Sequence, residues 1–192
     1  MIEGRKTGAM MDRYEMRLSG SGGQGLILAG KIVAEAVVIY DGRNAVQTQS
    51  YGPEARGGAS KAEVVIADGD IDYPKVLDLD LLLALTQVSC TKYSKDLKSG
   101  GTLIVDSGLV KELPKGNYKL YQAPITEIAI KKVGKAVVTN IVALGMLTKI
   151  AGVVSEDAVR KAILARVPKG TEELNMKAFD EGLKAAAALL DA

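Results

Sequence analysis

Ser19-Gly20-Ser21-Gly22-Gly23-Gln24-Gly25 is the stretch of this chain best able to meet an anion. It joins a strand-like run, 14–19, to a helix-like run, 24–40. Gly20, Gly22 and Gly25 fit G-x-G-x-x-G, and Gly23 adds a fourth glycine. Backbone without Cβ atoms turns sharply and lets a ligand lie against it. The N–H groups of the helix's first turn and the positive end of its dipole would face that ligand. A turn of this kind also joins strand to helix for packing reasons alone. A second loop, Ser50-Tyr51-Gly52-Pro53-Glu54-Ala55-Arg56-Gly57-Gly58, follows the second strand. Pro53 stiffens it, and Arg56 offers a fixed fork of donors suited to phosphate or carboxylate. A solvated hairpin loop is the plainer alternative. If the first two strands are parallel neighbours, Ser19 and Gln49 end at one carboxyl edge, where open α/β sheets bind ligands.

What the chain lacks narrows the chemistry. It has 192 residues and no histidine, which excludes His triads, His metal sites and His acid–base catalysis. One cysteine, Cys90, cannot form an internal disulfide or hold an iron–sulfur cluster. In a helical run it reads as a small core residue. With 25 basic and 23 acidic residues the net charge is +2, which gives no electrostatic case for nucleic acid. Asp68, Asp70 and Asp72 alternate without the glycine and distal glutamate of a calcium loop. Lys131, Lys132 and Lys135 read as an exposed helix end. A P-loop fails because Gly30-Lys31 precedes Ile32 inside the helix. A dinucleotide fold needs an acid at the end of the second strand, and that strand ends Gln47-Thr48-Gln49-Ser50. Asp41 lies near the right count but at the wrong end, so autonomous NAD binding is disfavoured.

The elements that must position the loops follow from periodicity. Strands are expected over 14–19, 44–49, 59–67, 81–85, 102–106 and 118–123. The alternation of Ala62, Val64 and Ile66 with charged positions marks 59–67 as a more exposed strand, joined to its predecessor in an antiparallel hairpin. Helices are expected over 24–40, 87–97, 125–133, 141–150 and 156–166, with a final one opening at Thr171. Asn140 and Ser155 are the candidate N-caps, Gly152 a helix end, and Gly100-Gly101 a turn. Met176, Phe179, Leu183, Ala186 and Leu190 share one face of the last helix. Aromatics are only 4% of the residues, so Ala, Val, Ile and Leu must build the core. The expectation is a single three-layer, Rossmann-like α/β domain over 13–192. Its sheet is mostly parallel with helices on both faces, and its C-terminal part is rich in helix. Residues 1–12 are set apart as a leader or vector-derived tail, because Ile2-Glu3-Gly4-Arg5 spells a protease recognition tetrapeptide used in expression vectors. No apolar span or signal core is present, and a cytoplasmic address is expected.

The two glycine-rich loops, with Asn140-Ile141-Val142-Ala143-Leu144-Gly145 as a third stretch, resemble the gamma subunit of 2-oxoacid:acceptor oxidoreductases. The similarity runs from about Tyr14 to Leu190 and is closest to the 2-oxoglutarate:ferredoxin oxidoreductases. The resemblance implies one part of a multi-subunit enzyme that decarboxylates a 2-oxo acid, transfers the acyl group to coenzyme A and reduces ferredoxin. It implies no catalytic residue and no metal on this chain. Thiamine diphosphate, magnesium and iron–sulfur clusters would sit on alpha, beta and ferredoxin-like delta subunits, with coenzyme A as co-substrate. Cofactor contacts would fall on Gly20, Gly22, Gly23, Gln24 and Gly25, and on Tyr51, Glu54, Arg56, Gly57 and Gly58. Self-association of the isolated chain is a further expectation. The rival reading is a stand-alone nucleotide or acyl-CoA binding module without catalysis.

Overall fold

The structure, a computed structural model, describes residues 11–50 and 59–191. Six strands form one sheet: β1 (Tyr14–Ser21), β2 (Asn44–Ser50), β3 (Ala59–Ala67), β4 (Leu79–Ala84), β5 (Leu97–Asp106) and β6 (Tyr118–Ala123). Their spatial order is β2-β3-β1-β4-β5-β6. β1, β4, β5 and β6 pair in parallel, while β3 runs antiparallel to both β1 and β2. The hairpin was legible from the short connection between β2 and β3. Direct pairing of β1 with β2 is corrected, because β3 lies between them. The two strands still run the same way, and Ser19 and Ser50 both stand opposite Lys61, one on each side. Their carboxyl ends therefore share one edge of the sheet.

Six helices cover this sheet unequally. On one face lie α1 (Leu26–Glu35, continued by a π-helical turn, Ala36–Tyr40), α3 (Ile125–Ile128, with a similar continuation), α4 (Thr139–Ala151), α5 (Glu156–Arg166) and α6 (Glu172–Leu190). Their apolar sides meet Met16, Leu18, Val64, Ile66, Leu81, Leu83 and Ile104 in the main core. On the other face α2 (Gln87–Tyr93) covers a smaller cluster with Leu82, Leu103 and Val105. Cys90 is buried there, and burial raises its thiol pKa. Phe179, Leu183 and Ala186 are buried along α6 as expected, whereas Leu190 is exposed.

The expected exposure of the third strand is overturned: β3 is buried almost throughout. Its alternation contains Glu63, which is only 8% exposed and is buried with partners rather than solvated. Arg17 Nε meets Glu63 Oε1 at 2.7 Å, Lys61 Nζ meets the same atom at 2.8 Å, and Arg17 also pairs with Asp96. The guanidinium lies 4.9 Å from the centroid of the Tyr93 ring on α2. A buried charge persists only where such partners compensate its lost hydration. Smaller corrections have local causes. Gly100 (φ +80°) lies within β5, so Gly100-Gly101 is no turn between elements. A Cβ at Gly101 would come within 2.9 Å of the Lys98 carbonyl. Leu97 therefore opens a strand rather than closing a helix.

Candidate functional site

The chain leaves β1 at Ser21 and turns at once. Gln24 N–H reaches Ser21 O at 3.4 Å, with Gly22 and Gly23 as the two central residues. Gly23 has φ +88°, the left-handed value a type II turn demands at its second central position. Gly25, at φ +71°, is the N-cap of α1, so the helix starts two residues later than its periodicity suggested. Gly25 has no side chain to cap α1, and no acidic residue stands in the helix's own first turn. Its first-turn N–H groups stand at the positive end of a ten-residue helix, an arrangement that favours an anion.

The glycines of this turn differ in what requires them. A Cβ at Gly20 would sit 2.2 Å from Gln24 Oε1 and 2.9 Å from Leu26 Cδ1. That space is needed because the Gln24 side chain folds back, its Oε1 accepting the Ser21 N–H at 2.7 Å. Gln24, expected as a ligand contact, spends its carbonyl oxygen inside the turn. A Cβ at Gly25 would meet Asn140 Nδ2 at 2.5 Å. Gly22 differs from all of these. Its φ is not positive, and nothing among the described residues lies within 4 Å of a Cβ built there.

Asn140 is the residue that the periodicity misread. It lies inside α4 rather than capping it, and its Nδ2 donates to Gly25 O at 3.1 Å across 115 residues of sequence. Gly25 O also accepts the Ala29 N–H at 3.1 Å, so one carbonyl ties the start of α1 to α4. A polar side chain in an otherwise apolar helical run was the available signal, since a buried amide must find a partner. Beside this tether a cleft of about 260 Å³ opens between Gly23, Gly25, Leu28, Val138, Asn140 and Leu174. Asp106 was also missed. Fully buried at the end of β5, its carboxylate accepts Thr126 N–H at 2.8 Å and Gly108 N–H at 2.9 Å, fixing the start of α3 and the loop before it. Asp41, once weighed as a ribose acid, instead accepts the Ser155 N–H at 2.8 Å at the opposite edge. Ser155 caps α5 as expected.

Tyr51, Glu54, Arg56, Gly57 and Gly58 lie outside the described residues. The strands on either side of them are placed: β2 ends at Ser50, and Ala59 stands opposite Ser21. Ser60 Oγ donates to Ser21 O at 3.3 Å, and the Tyr93 hydroxyl to Ala59 O at 3.4 Å. The second loop thus leaves from and returns to the edge that carries the glycine turn. The interposed β3 removes the parallel β1–β2 neighbours on which a dinucleotide site is built. Among the described residues no group of three or more Asp, Glu or Cys is placed to hold a metal ion.

The family model for pyruvate ferredoxin/flavodoxin oxidoreductase matches residues 15–185. The chain belongs to this family. It is 52% identical to the 2-oxoglutarate synthase subunit KorC of Methanocaldococcus jannaschii, over 91% of this chain and 94% of that protein. Its structure superimposes on the gamma subunit of a keto/oxoacid ferredoxin oxidoreductase from Geobacter sulfurreducens with a TM-score of 0.86. The two are 57% identical over 92% of this chain and 98% of that one. The same fold recurs at 23% identity in the 2-oxoglutarate:ferredoxin oxidoreductase of Magnetococcus marinus, solved with 2-oxoglutarate, coenzyme A and succinyl-CoA bound. There the TM-score is 0.82, and the match covers 94% of this chain but 32% of that chain. Within the family this chain has the gamma-subunit fold and is an oxidoreductase subunit.

Proposed function

We propose that this chain is the gamma subunit of a 2-oxoglutarate:ferredoxin oxidoreductase, and that its glycine turn positions coenzyme A in the assembled enzyme. Gly22 carries the second half of this reading. Neither its backbone angle nor any neighbour among the described residues requires a glycine, and the space above it suits the close approach of a ligand. The first-turn N–H groups of α1 supply donors to an anionic group, and the Arg56 guanidinium supplies charge from the second loop. Identity to KorC along nearly its whole length supports 2-oxoglutarate as the oxo acid. The chain holds an acyl acceptor in place and excludes water from it; it offers no acid, base or nucleophile to the reaction. Decarboxylation and electron transfer draw on thiamine diphosphate, magnesium and iron–sulfur clusters, which belong to alpha, beta and delta subunits. A chain with no histidine and one buried cysteine is not equipped to ligate a cluster.

The test is reconstitution with the partner subunits and steady-state kinetics. Gly22→Val should raise the KM for coenzyme A tenfold or more, which is about 1.4 kcal/mol. The KM for 2-oxoglutarate should stay unchanged, and the chain's melting temperature should move little. Arg56→Ala should cost a charge-assisted contact of about 1.5–3 kcal/mol on the same parameter. Unchanged coenzyme A kinetics in both variants, with assembly intact, would reduce these loops to connections. Turnover of pyruvate in preference to 2-oxoglutarate would overturn the substrate.

A further inference from the structure

The two edges of the sheet are not equally protected. β6, at one edge, carries the exposed Lys119 as its second residue, a charge of the kind that keeps an edge from pairing with another chain. β2, at the other edge, reads Asn44-Ala45-Val46-Gln47-Thr48-Gln49-Ser50 and contains neither charge nor proline. Gln47 Nε2 donates to Thr48 O at 3.0 Å, which marks that carbonyl as accessible from outside the β2–β3 ladder. A groove of about 700 Å³ follows this edge, lined by Lys31, Ala34, Glu35, Val38, Ile39, Gln47 and Arg166. Ile39 is 65% exposed and Val38 43%.

We infer that β2 pairs antiparallel with β2 of a second copy of this chain, about a two-fold axis through Gln47, joining two sheets edge to edge. The strand is complementary to its own reverse. In that register Val46 faces Thr48, a pair of β-branched residues, Ala45 faces Gln49, and Gln47 faces Gln47. Val46 and Thr48 would exchange backbone hydrogen bonds in place of the single side-chain contact Thr48 O has now. The groove carries the basic Lys31 and Arg166 and the acidic Glu35. Lys31 makes no ion pair among the described residues, and Glu35 stands one helical turn away, bonded to Arg166. A two-fold turns the Lys31 of one copy toward the Glu35 of the other, and buries Val38 and Ile39 of both. A closed two-fold contact of this kind stops at a dimer. It also leaves the first glycine turn accessible on each copy, since that turn stands at the carboxyl edge.

Sedimentation equilibrium of the full chain, with disulfide trapping, tests this. The wild type should give twice the 20.2 kDa of one chain. Gln47→Cys should form a covalent dimer under mild oxidation, because directly opposed Cα atoms lie about 4.5–5.5 Å apart. Ala45→Cys should not, since its counterpart sits four residues away, roughly 13 Å along the strand. The native Cys90 is buried and should not compete. Gln47→Lys should weaken the dimer at least tenfold with an unchanged melting curve of the dilute monomer. A monomer at all concentrations overturns the proposal. So does a dimer that Gln47→Cys fails to trap and Gln47→Lys fails to weaken.

Discussion

The glycines at the mouth of α1 and those where α4 crosses α6 look alike in sequence and serve opposite ends. At the crossing, space is filled. A Cβ at Gly145 would lie 2.3 Å from Phe179 O, and one at Gly182 would lie 2.1 Å from Val142 O, each such Cβ also 3.0 Å from the other glycine's Cα. At the turn, no described residue comes within 4 Å of a Cβ at Gly22 or Gly23. The first pair is glycine because the protein is already there. Gly22 is glycine with nothing of the described chain against it.

Three substitutions sharpen or break this contrast. The largest effect belongs to Gly182→Ala, whose new methyl group meets rigid helix backbone. Overpacking of this kind costs about 3 kcal/mol, a fall of roughly 6–12 °C in melting temperature for a chain of this size. A fall under 3 °C by calorimetry would mean that the helices part easily. Next comes Gly20→Ala, which should cost about 1–3 kcal/mol through its contact with Gln24 Oε1. Gln24→Ala removes that oxygen, so the double variant should be more stable than Gly20→Ala alone. Strict additivity in urea titrations would show that the side chain does not hold the turn. The smallest effect is Gly22→Ala, expected within about 0.5 kcal/mol of the parent. A drop as large as that of Gly20→Ala would return Gly22 to an internal role.

Much of this was readable from the residues, and the failures share a cause. Helix and strand positions followed from periodicity, Ser155 from capping chemistry, and the β2–β3 hairpin from a short connection. Each of these is a local relation. The place of β3 between β1 and β2 depends on pairing between segments about 45 residues apart, which alternation does not encode. Glu63 was misread for the same reason, since Arg17, the guanidinium that allows its burial, lies on another strand and is remote in sequence. In the site, the glycine spacing located the turn but could not say which glycine answered to the fold. Gln24 fits the motif and turns inward, while Asn140 lies outside it and holds Gly25. Arg56 and its neighbours were chosen on chemistry alone and lie outside the described residues.

The tether from Asn140 to Gly25 also bears on how the molecule moves. All ten residues of α4 from Thr139 to Thr148 are buried. Amides in such a segment exchange with solvent only when the whole domain opens, whereas surface turns commonly open alone. Bound to that helix, the carbonyl of Gly25 takes on its slow clock. The mouth of α1 is a surface feature whose rear wall should outlast, in deuterium exchange, everything else on the sheet's carboxyl edge.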